Sequence, residues 1–247
     1  MLESIDNSWL FLVLLPIIAF LYAAVGHGGA SGYLALMALF SFPITVMKPT
    51  ALLLNLFVAG TSFIQYFRSD HFKWKLFYPF VITSIPFAFI GGYLIVDVSL
   101  YKKLLGIMLL FSILRLVGLI GKENTKLSQL KLWQGLLIGA NIGLISGMIG
   151  IGGGIILSPV ILLLGWAKMK TTAAVSALFI WVNSAAAMAG LTMRGLTIDS
   201  QALLLVGIAL IGGLAGGYYG SGRFNNSILN KLLAVVLVIA CVKLFFA

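Results

Sequence analysis

Long apolar stretches, separated by short clusters of Gly, Pro and charged residues, make up most of the chain. Ten apolar segments result: about 9–25, 28–42, 46–67, 74–96, 100–120, 131–149, 152–165, 171–192, 200–220 and 228–246. A helix needs about 20 residues to cross the hydrocarbon core of a bilayer, and segments two and seven fall short of that at about 14. The pattern predicts an all-α, polytopic transmembrane protein whose second and seventh segments are short or re-entrant.

The two short segments each stand second in a group of five, which suggests an internal duplication. Gly26, Gly28 and Gly29 match Gly150, Gly152 and Gly153 at an offset of 124 residues. Three further matches follow in the same order: Lys48-Pro-Thr-Ala51 with Lys170-Thr-Thr-Ala173, Gly91-Gly-Tyr93 with Gly216-Gly-Tyr218, and Lys103-Leu-Leu105 with Lys231-Leu-Leu233. The alternative is coincidence in a chain rich in Gly and Leu. We therefore predict two repeats, residues 1–122 and 123–247, within one integrated membrane domain.

Composition and charge support a membrane location. The chain is 61% hydrophobic and 9% charged, and its net charge of +10 comes from Lys and Arg in the gaps between apolar segments. This distribution is typical of juxtamembrane charge and predicts no nucleic-acid partner. No basic residue precedes the first apolar segment, so we expect a retained helix and not a cleaved signal peptide. The one cysteine, Cys241, excludes an intramolecular disulfide.

The positive-inside rule predicts the orientation of the chain. If the two halves are inverted, with both termini outside, 11 basic residues face the inside and 5 the outside. If segments two and seven instead dip into the bilayer and return, the halves are parallel and the best division is 9 against 7. Inverted repeats with both termini outside are therefore favoured. Arg115 and Lys243, a few residues inside segment ends, are expected to snorkel to the interface. Lys48 and Lys170 are expected to anchor the chain there, and steering of anions to either mouth is the alternative.

Glycine clusters precede both short segments, and they predict an anion site. The first reads GHGGASG, with Gly26, His27, Gly28, Gly29 and Ser31, and the second contains Gly150, Gly152, Gly153 and Gly154. Helix N-termini carry unpaired N–H groups and partial positive charge, and glycine allows an anion to approach them. Two such N-termini meeting near the midplane would line a binding cavity. Close helix packing is the competing role of glycine, and we favour it for the Gly139, Gly143 and Gly147 series.

Polar residues within the segments sharpen this prediction. No carboxylate falls in the predicted hydrocarbon core, which argues against a cation substrate. Asn55 and Asn183, one segment after each glycine cluster, and Asn141 offer amide N–H groups that suit oxyanions, although interhelical hydrogen bonding is an equal alternative. His27 either caps a helix or acts as a donor or protonation switch. We expect no metal site and no cofactor.

The sequence resembles a known transporter family. Gly150-Ile-Gly-Gly-Gly154, followed by an apolar run with Pro159 and by KTTAAVSALFIWVNS (170–184), is similar to the motifs of the TauE/SafE sulfite exporter family, also called the toluene-sulfonate uptake permeases. The first copy departs from the pattern, since Ala30 stands where Gly154 does in the second. The resemblance implies a prokaryotic cytoplasmic-membrane transporter of sulfite, sulfoacetate or a related organosulfonate, with the glycine motifs at its site.

Three classes of function remain to be compared. The leading hypothesis is a secondary transporter that moves a small sulfur-containing anion by alternating access. A passive anion channel is the nearest alternative, and a non-transporting partner subunit is a further one. A membrane-embedded enzyme is disfavoured because the sequence has no intramembrane acid pair, no cysteine pair and only two histidines. The expected partners are the anion and the lipid bilayer, while association into a homo-oligomer stays open.

Overall fold

The computed structural model describes residues 8–24, 29–120, 127–196, 200–220 and 226–246, and it contains ten α-helices and no strand within those ranges. The helices are α1 Ser8–Ala24, α2 Ala30–Leu39, α3 Ile44–Arg68, α4 Trp74–Tyr93, α5 Val98–Leu116, α6 Leu132–Ile149, α7 Gly154–Leu163, α8 Met169–Met193, α9 Ser200–Gly220 and α10 Asn226–Phe246. The ten predicted segments and the all-α fold are confirmed. Helix ends differ from the predicted ends by at most about four residues, as expected where hydropathy alone defines a boundary.

Four of the helices are long candidate membrane spans, and two others are unusually short. Helices α3, α4, α6 and α8 have 18 to 25 residues and are apolar enough to span a bilayer. Helices α2 and α7 have ten residues each, so each is only about 15 Å long at 1.5 Å per residue. Both are almost wholly buried among the longer helices, which confirms that the second and seventh segments are short. Gly29 before α2 and residues 150–153 before α7 are buried as well, and irregular backbone at membrane depth is tolerated where protein encloses it.

A glycine series on α6 packs directly against α4. A Cβ atom added to Gly139, Gly143 or Gly147 would collide with backbone carbonyl oxygens of α4, those of Phe80, Ser84 and Ala88 respectively. The two helices therefore approach closely along three successive turns, as small residues at four-residue spacing permit. The packing role predicted for this series is confirmed.

Helix α9 packs against α1 in a corresponding way. Gly212 lies against the carbonyl oxygen of Pro16, and Gly216 lies against that of Phe20. Gly91 of α4, which the sequence matches to Gly216, lies against the carbonyl oxygen of Leu144 on α6. Leu144 follows Phe20 by 124 residues, which is also the offset of the glycine clusters. Each half of the chain thus packs its fourth helix against the first helix of the other half.

Corresponding helices of the two halves run antiparallel where they meet. On α5 and α10, Cys241 Sγ lies 3.7 Å from the Gly106 carbonyl oxygen, and Lys243 shares a cavity with Lys102 near the start of α5. On α3 and α8, Asn55 Nδ2 lies 3.2 Å from Ser184 Oγ. One turn further along α3, a Cβ on Gly60 would lie 3.2 Å from the Trp181 ring, which precedes Ser184 on α8. Residue numbers rise along α3 while those of the contacting residues fall along α8, as in antiparallel helices.

Lys48 is buried, contrary to the predicted interfacial anchor. Its Nζ donates to the carbonyl oxygens of Gly91 and Gly92, at 3.1 and 3.2 Å, and so satisfies orphan carbonyls in the last turn of α4. Lys170, its counterpart in the sequence repeat, is exposed. Burial of the ammonium group is compensated because an α-helix C-terminus carries partial negative charge.

Candidate functional site

Both short helices begin at a glycine in the left-handed region. Gly29, the N-cap of α2, has φ 86°, and Gly153, the N-cap of α7, has φ 80°. Residues with a Cβ rarely adopt this conformation, which explains glycine at both positions. Both N-caps are glycines, so neither residue supplies a side-chain cap to the helix that follows it. The two short helices therefore share the same kind of entry, a glycine with positive φ.

One small cavity is lined by a residue from the first turn of each short helix. Ser31, the second residue of α2, and Ile155, the second residue of α7, both line it, and Arg115 lies in its wall. The other lining residues are Tyr22, Ser112 and Leu116. Its volume is about 10 Å³, enough for about one water molecule. We call it the Arg115 pocket.

The Arg115 pocket is electropositive. Arg115 brings a permanent cationic charge from the last turn of α5, and the N-termini of α2 and α7 each add partial positive charge. No carboxylate lines the pocket among the residues that the structure describes. Tyr22 and Ser31 share a hydrogen bond of 2.5 Å between their hydroxyl oxygens, so a hydroxyl donor is held at the cavity wall. These groups can donate hydrogen bonds to an oxyanion and balance its charge.

The second glycine cluster also touches a buried polar group. A Cβ on Gly152 would lie 3.0 Å from Asn55 Nδ2 and 3.0 Å from Ser184 Oγ. The Asn55 amide donates to Ser184 Oγ at 3.2 Å and points towards the Ile151 carbonyl oxygen at 3.4 Å. Asn55 thereby joins α3, α8 and the entry to α7. Its own Oδ1 is buried without a hydrogen-bond partner in the described structure.

Other buried polar atoms lie around these helix entries. The Tyr33 hydroxyl packs against Gly29, 2.6 Å from where a Cβ would be, and is also without a partner among the described residues. Asn183 donates to the Phe179 carbonyl oxygen within α8. Its Oδ1 also has no hydrogen-bond partner among the described residues. Unpaired buried polar atoms carry an energetic cost, so these two atoms and Asn55 Oδ1 are candidates for contact with a bound ligand.

Most of the predicted site residues are buried in the structure, and their role in a site stays a prediction. Gly29, Ser31, Asn55, Gly150, Gly152, Gly153, Gly154 and Asn183 are all buried. Asn141 is exposed on α6 and donates to the Leu137 carbonyl oxygen one turn earlier, so the structure does not bring it to this group. Gly26, His27 and Gly28 lie outside the described residues.

Sequence reasoning missed Arg115 as a site residue, since its place near a segment end predicted snorkelling. The signal that could have found it is Ser112, one turn earlier on the same face of α5, which adds a hydroxyl to the same wall. Tyr22 and Tyr33 were missed as well, because an isolated Tyr in an apolar segment does not differ from a packing residue until its neighbours are known.

The described residues form ten packed apolar helices, two of them short and entered through glycines, and these features are those of a multi-pass membrane transporter. The family model described as "Sulfite exporter TauE/SafE" matches residues 10–244. The chain belongs to this family, which consists of membrane transporters and is not an enzyme class. The resemblance seen in the sequence motifs is thereby confirmed.

Two curated relatives agree with this assignment. The chain is 34% identical to the probable membrane transporter protein y4hK of Sinorhizobium fredii over 234 residues, which cover 93% of this chain and 95% of the relative. It is 28% identical to the probable membrane transporter protein MJ0441 of Methanocaldococcus jannaschii over 167 residues, covering 61% of this chain and 62% of that protein. No solved structure gives a significant match.

Proposed function

We propose that the protein is a secondary transporter of a small sulfur-containing oxyanion, such as sulfite, sulfoacetate or a related organosulfonate, in a prokaryotic cytoplasmic membrane. The anion binds in the Arg115 pocket, between the N-termini of α2 and α7. The observation that carries the proposal is that Ser31, Ile155 and Arg115 line one cavity. Two helix N-termini and a guanidinium group together provide the donors and the charge that an oxyanion requires.

Inverted repeats are part of the proposal. The antiparallel contacts between α5 and α10 and between α3 and α8 support them, because corresponding helices of inverted halves must run in opposite directions. The reciprocal packing of Gly91 on Leu144 and of Gly216 on Phe20 supports the repeat itself. With both termini outside, the N-termini of the two short helices would approach the midplane from opposite faces.

The small volume of the pocket favours a carrier over a passive channel. About 10 Å³ admits roughly one water molecule, whereas a sulfur oxyanion has three or four oxygen atoms. Helices must therefore move apart before an anion can enter, as alternating access requires. Where glycines lie directly against backbone carbonyl oxygens, as those of α6 do on α4, no interdigitated side chains oppose the sliding of one helix along the other.

Uptake of radiolabelled sulfite into proteoliposomes tests the proposal. The full-length wild type is compared with Arg115→Gln, Arg115→Lys and Arg68→Gln. Arg68 is the matched control because it also lies in the last turn of a membrane helix, α3, but is exposed. We expect saturable uptake that falls at least about tenfold in Arg115→Gln, since a charge-assisted hydrogen bond is lost. Arg68→Gln should transport like the wild type, and Arg115→Lys should retain part of the uptake.

Competition by unlabelled anions defines the substrate class. Sulfoacetate and thiosulfate should compete with sulfite, whereas acetate should compete weakly. Equal loss of uptake in Arg115→Gln and Arg68→Gln would contradict the site assignment. Uptake that does not saturate, together with single-channel currents, would show that the protein is a channel and not a carrier.

A further inference from the structure

A second, larger cavity lies at the other end of α2. It has a volume of about 250 Å³ and is formed by the C-terminal ends of α2 and α10 together with the N-terminal ends of α3 and α5. Its charged lining residues are Lys102 and Lys243. We call it the Lys102 vestibule, and its other lining residues are Ala38, Ser41, Phe42, Ile44, Met47, Tyr101, Leu105 and Leu244.

The vestibule is electropositive for reasons that differ from those at the Arg115 pocket. Lys102 is half-buried at its wall. Lys243 donates to the Leu39 carbonyl oxygen and, at 2.8 Å, to Ser41 Oγ, so its charge offsets the negative C-terminus of α2. Within the described parts of the chain no carboxylate lines the cavity; Asp97, the acidic residue nearest to Lys102 along the chain, instead caps α5 through the Ser99 amide. The charged groups that the described residues present to the cavity are therefore cationic.

The vestibule and the Arg115 pocket lie along the same two helices. Lys102 and Leu105 of α5 line the vestibule, while Ser112 and Arg115 of the same helix line the pocket. Ten residues of helix, from 102 to 112, correspond to about 15 Å. Helix α2 covers the same interval, with Ala38 at the vestibule and Ser31 at the pocket.

Tyr101 forms part of the buried wall between the vestibule and the second glycine cluster. It lines the vestibule, is only 1% exposed and donates from its hydroxyl to the Ile149 carbonyl oxygen at 3.0 Å. Ile149 is the last residue of α6 and directly precedes Gly150, whose φ of 93° begins the cluster. The Tyr101 side chain thus links the wall of the vestibule to the backbone that leads into α7.

We propose that the Lys102 vestibule is a second oxyanion-binding site of the protein, with Lys102 and Lys243 as its cationic groups. The inference rests on the proposed function in one respect, since it makes the vestibule the site that a transported anion occupies before or after the Arg115 pocket. Its volume holds an oxyanion together with water molecules, at about 30 Å³ for each water. The oxyanion is either a free sulfur oxyanion or the phosphate group of an anionic lipid, because both have the same recognition chemistry.

Equilibrium binding tests the vestibule independently of transport. Radiolabelled sulfite is titrated against the purified full-length protein in phosphatidylcholine nanodiscs, for the wild type, Lys102→Gln, Lys102→Arg and Lys103→Gln. Lys103 is the matched control because it is the exposed neighbour of Lys102 and does not line the cavity. We expect one component of binding to weaken about tenfold in Lys102→Gln, to persist in Lys102→Arg and to be unchanged in Lys103→Gln.

Binding by Arg115→Gln separates this inference from the proposed function. Loss of binding in Lys102→Gln but not in Arg115→Gln would support the vestibule and contradict the site at Arg115. Loss in Arg115→Gln alone would overturn the vestibule. Superimposable curves for Lys102→Gln and Lys103→Gln, or no sulfite binding by the wild type, would also overturn it.

A second lipid composition identifies the source of the oxyanion. The titration is repeated in nanodiscs that contain phosphatidylglycerol, whose phosphate lies at the membrane surface. A Lys102-dependent component that persists there assigns the vestibule to the free anion. If that component appears in phosphatidylcholine and is displaced by phosphatidylglycerol, the lipid phosphate is the occupant.

Discussion

Residues of one type perform different tasks in this protein, and their environments decide which. Asn55 is fully buried and links three elements through its amide, whereas Asn141 is exposed and bonds within its own helix. Lys48 is bonded to two buried carbonyl oxygens, whereas Lys170 is exposed. Each pair allows the same substitution to be made at a buried and at an exposed position, so the exposed variant is the control for the buried one.

Replacing Asn55 by Leu should abolish transport and destabilise the fold. The change removes the donor to Ser184 and places a branched apolar side chain against Gly152. Unpaired buried polar groups cost about 1–3 kcal/mol, so a lowered melting temperature in detergent is expected with the loss of uptake. Asn141→Leu should leave both quantities near wild type. A stable, active Asn55→Leu protein would show that this amide link is dispensable.

Replacing Gly153 by Ala tests whether space at the start of α7 is required. A Cβ there would lie 2.6 Å from Ile142 Cγ2 and 2.9 Å from the Phe179 ring, and the positive φ adds strain. Gly195→Ala is the control for strain alone, because Gly195 has φ 85° and nothing within 4 Å of its Cβ position. We expect sulfite uptake to fall in Gly153→Ala only. Equal losses would point to backbone strain as the cause.

At the scale of elements, the helix ends carry the polar contacts that the function depends on in our proposal. The N-caps of α2 and α7 are glycines, while the C-termini of α2 and α4 are satisfied by Lys243 and Lys48. Positive groups thus compensate two C-terminal ends, and the proposed function assigns the anion to the N-terminal ends of the short helices.

Replacing Lys48 by Met should weaken the connection between α3 and α4. The thioether side chain keeps a similar length but cannot donate to the Gly91 and Gly92 carbonyl oxygens. A loss of about 2 kcal/mol in stability is expected, because buried carbonyl groups lose their donor. Thermal unfolding in detergent measures it, with Lys170→Met as the exposed control that should change stability by less than about 0.5 kcal/mol. Identical melting temperatures for the two variants would refute the structural role of Lys48.

At the scale of the whole molecule, the two halves exchange contacts and do not fold as separate bundles. Helix α1 packs on α9, and α6 packs on α4, so each half completes the other. The residues that line the Arg115 pocket come from both halves as well: Tyr22, Ser31, Ser112, Arg115 and Leu116 from the first and Ile155 from the second. Under the proposed alternating access, a cavity formed in this way would change shape when one half moves against the other.

Thiol labelling tests the inverted arrangement. In a Cys241→Ala background, single cysteines are placed at Lys73, before α4, and at Met193, before α9, and both positions are exposed. Inverted halves place these corresponding positions on opposite sides of the membrane. An impermeant thiol reagent should label Met193→Cys in intact cells and Lys73→Cys only after permeabilisation. Ile95→Cys, at the other end of α4, should behave like Met193→Cys. Labelling of Lys73 and Met193 from the same side would contradict inversion.

The sequence by itself determined the elements of this protein. Ten helices, the shortness of α2 and α7 and the family follow from apolar runs and from glycine clusters, because hydrophobic length and backbone freedom are local properties of the chain. The close packing of Gly139, Gly143 and Gly147 was likewise predictable from their spacing.

Only the tertiary structure decided which residues share a site. Arg115 and Ile155 are 40 positions apart, and Asn55 and Ser184 are 129 apart, so no local pattern could have paired them. The same holds for Lys48, whose partners Gly91 and Gly92 lie on another helix. Charge near a segment end predicts an interfacial position when each helix is considered alone. In the folded protein, neighbouring helices supply carbonyl oxygens to Lys48 and a cavity beside Arg115, so neither position could be inferred from one helix alone.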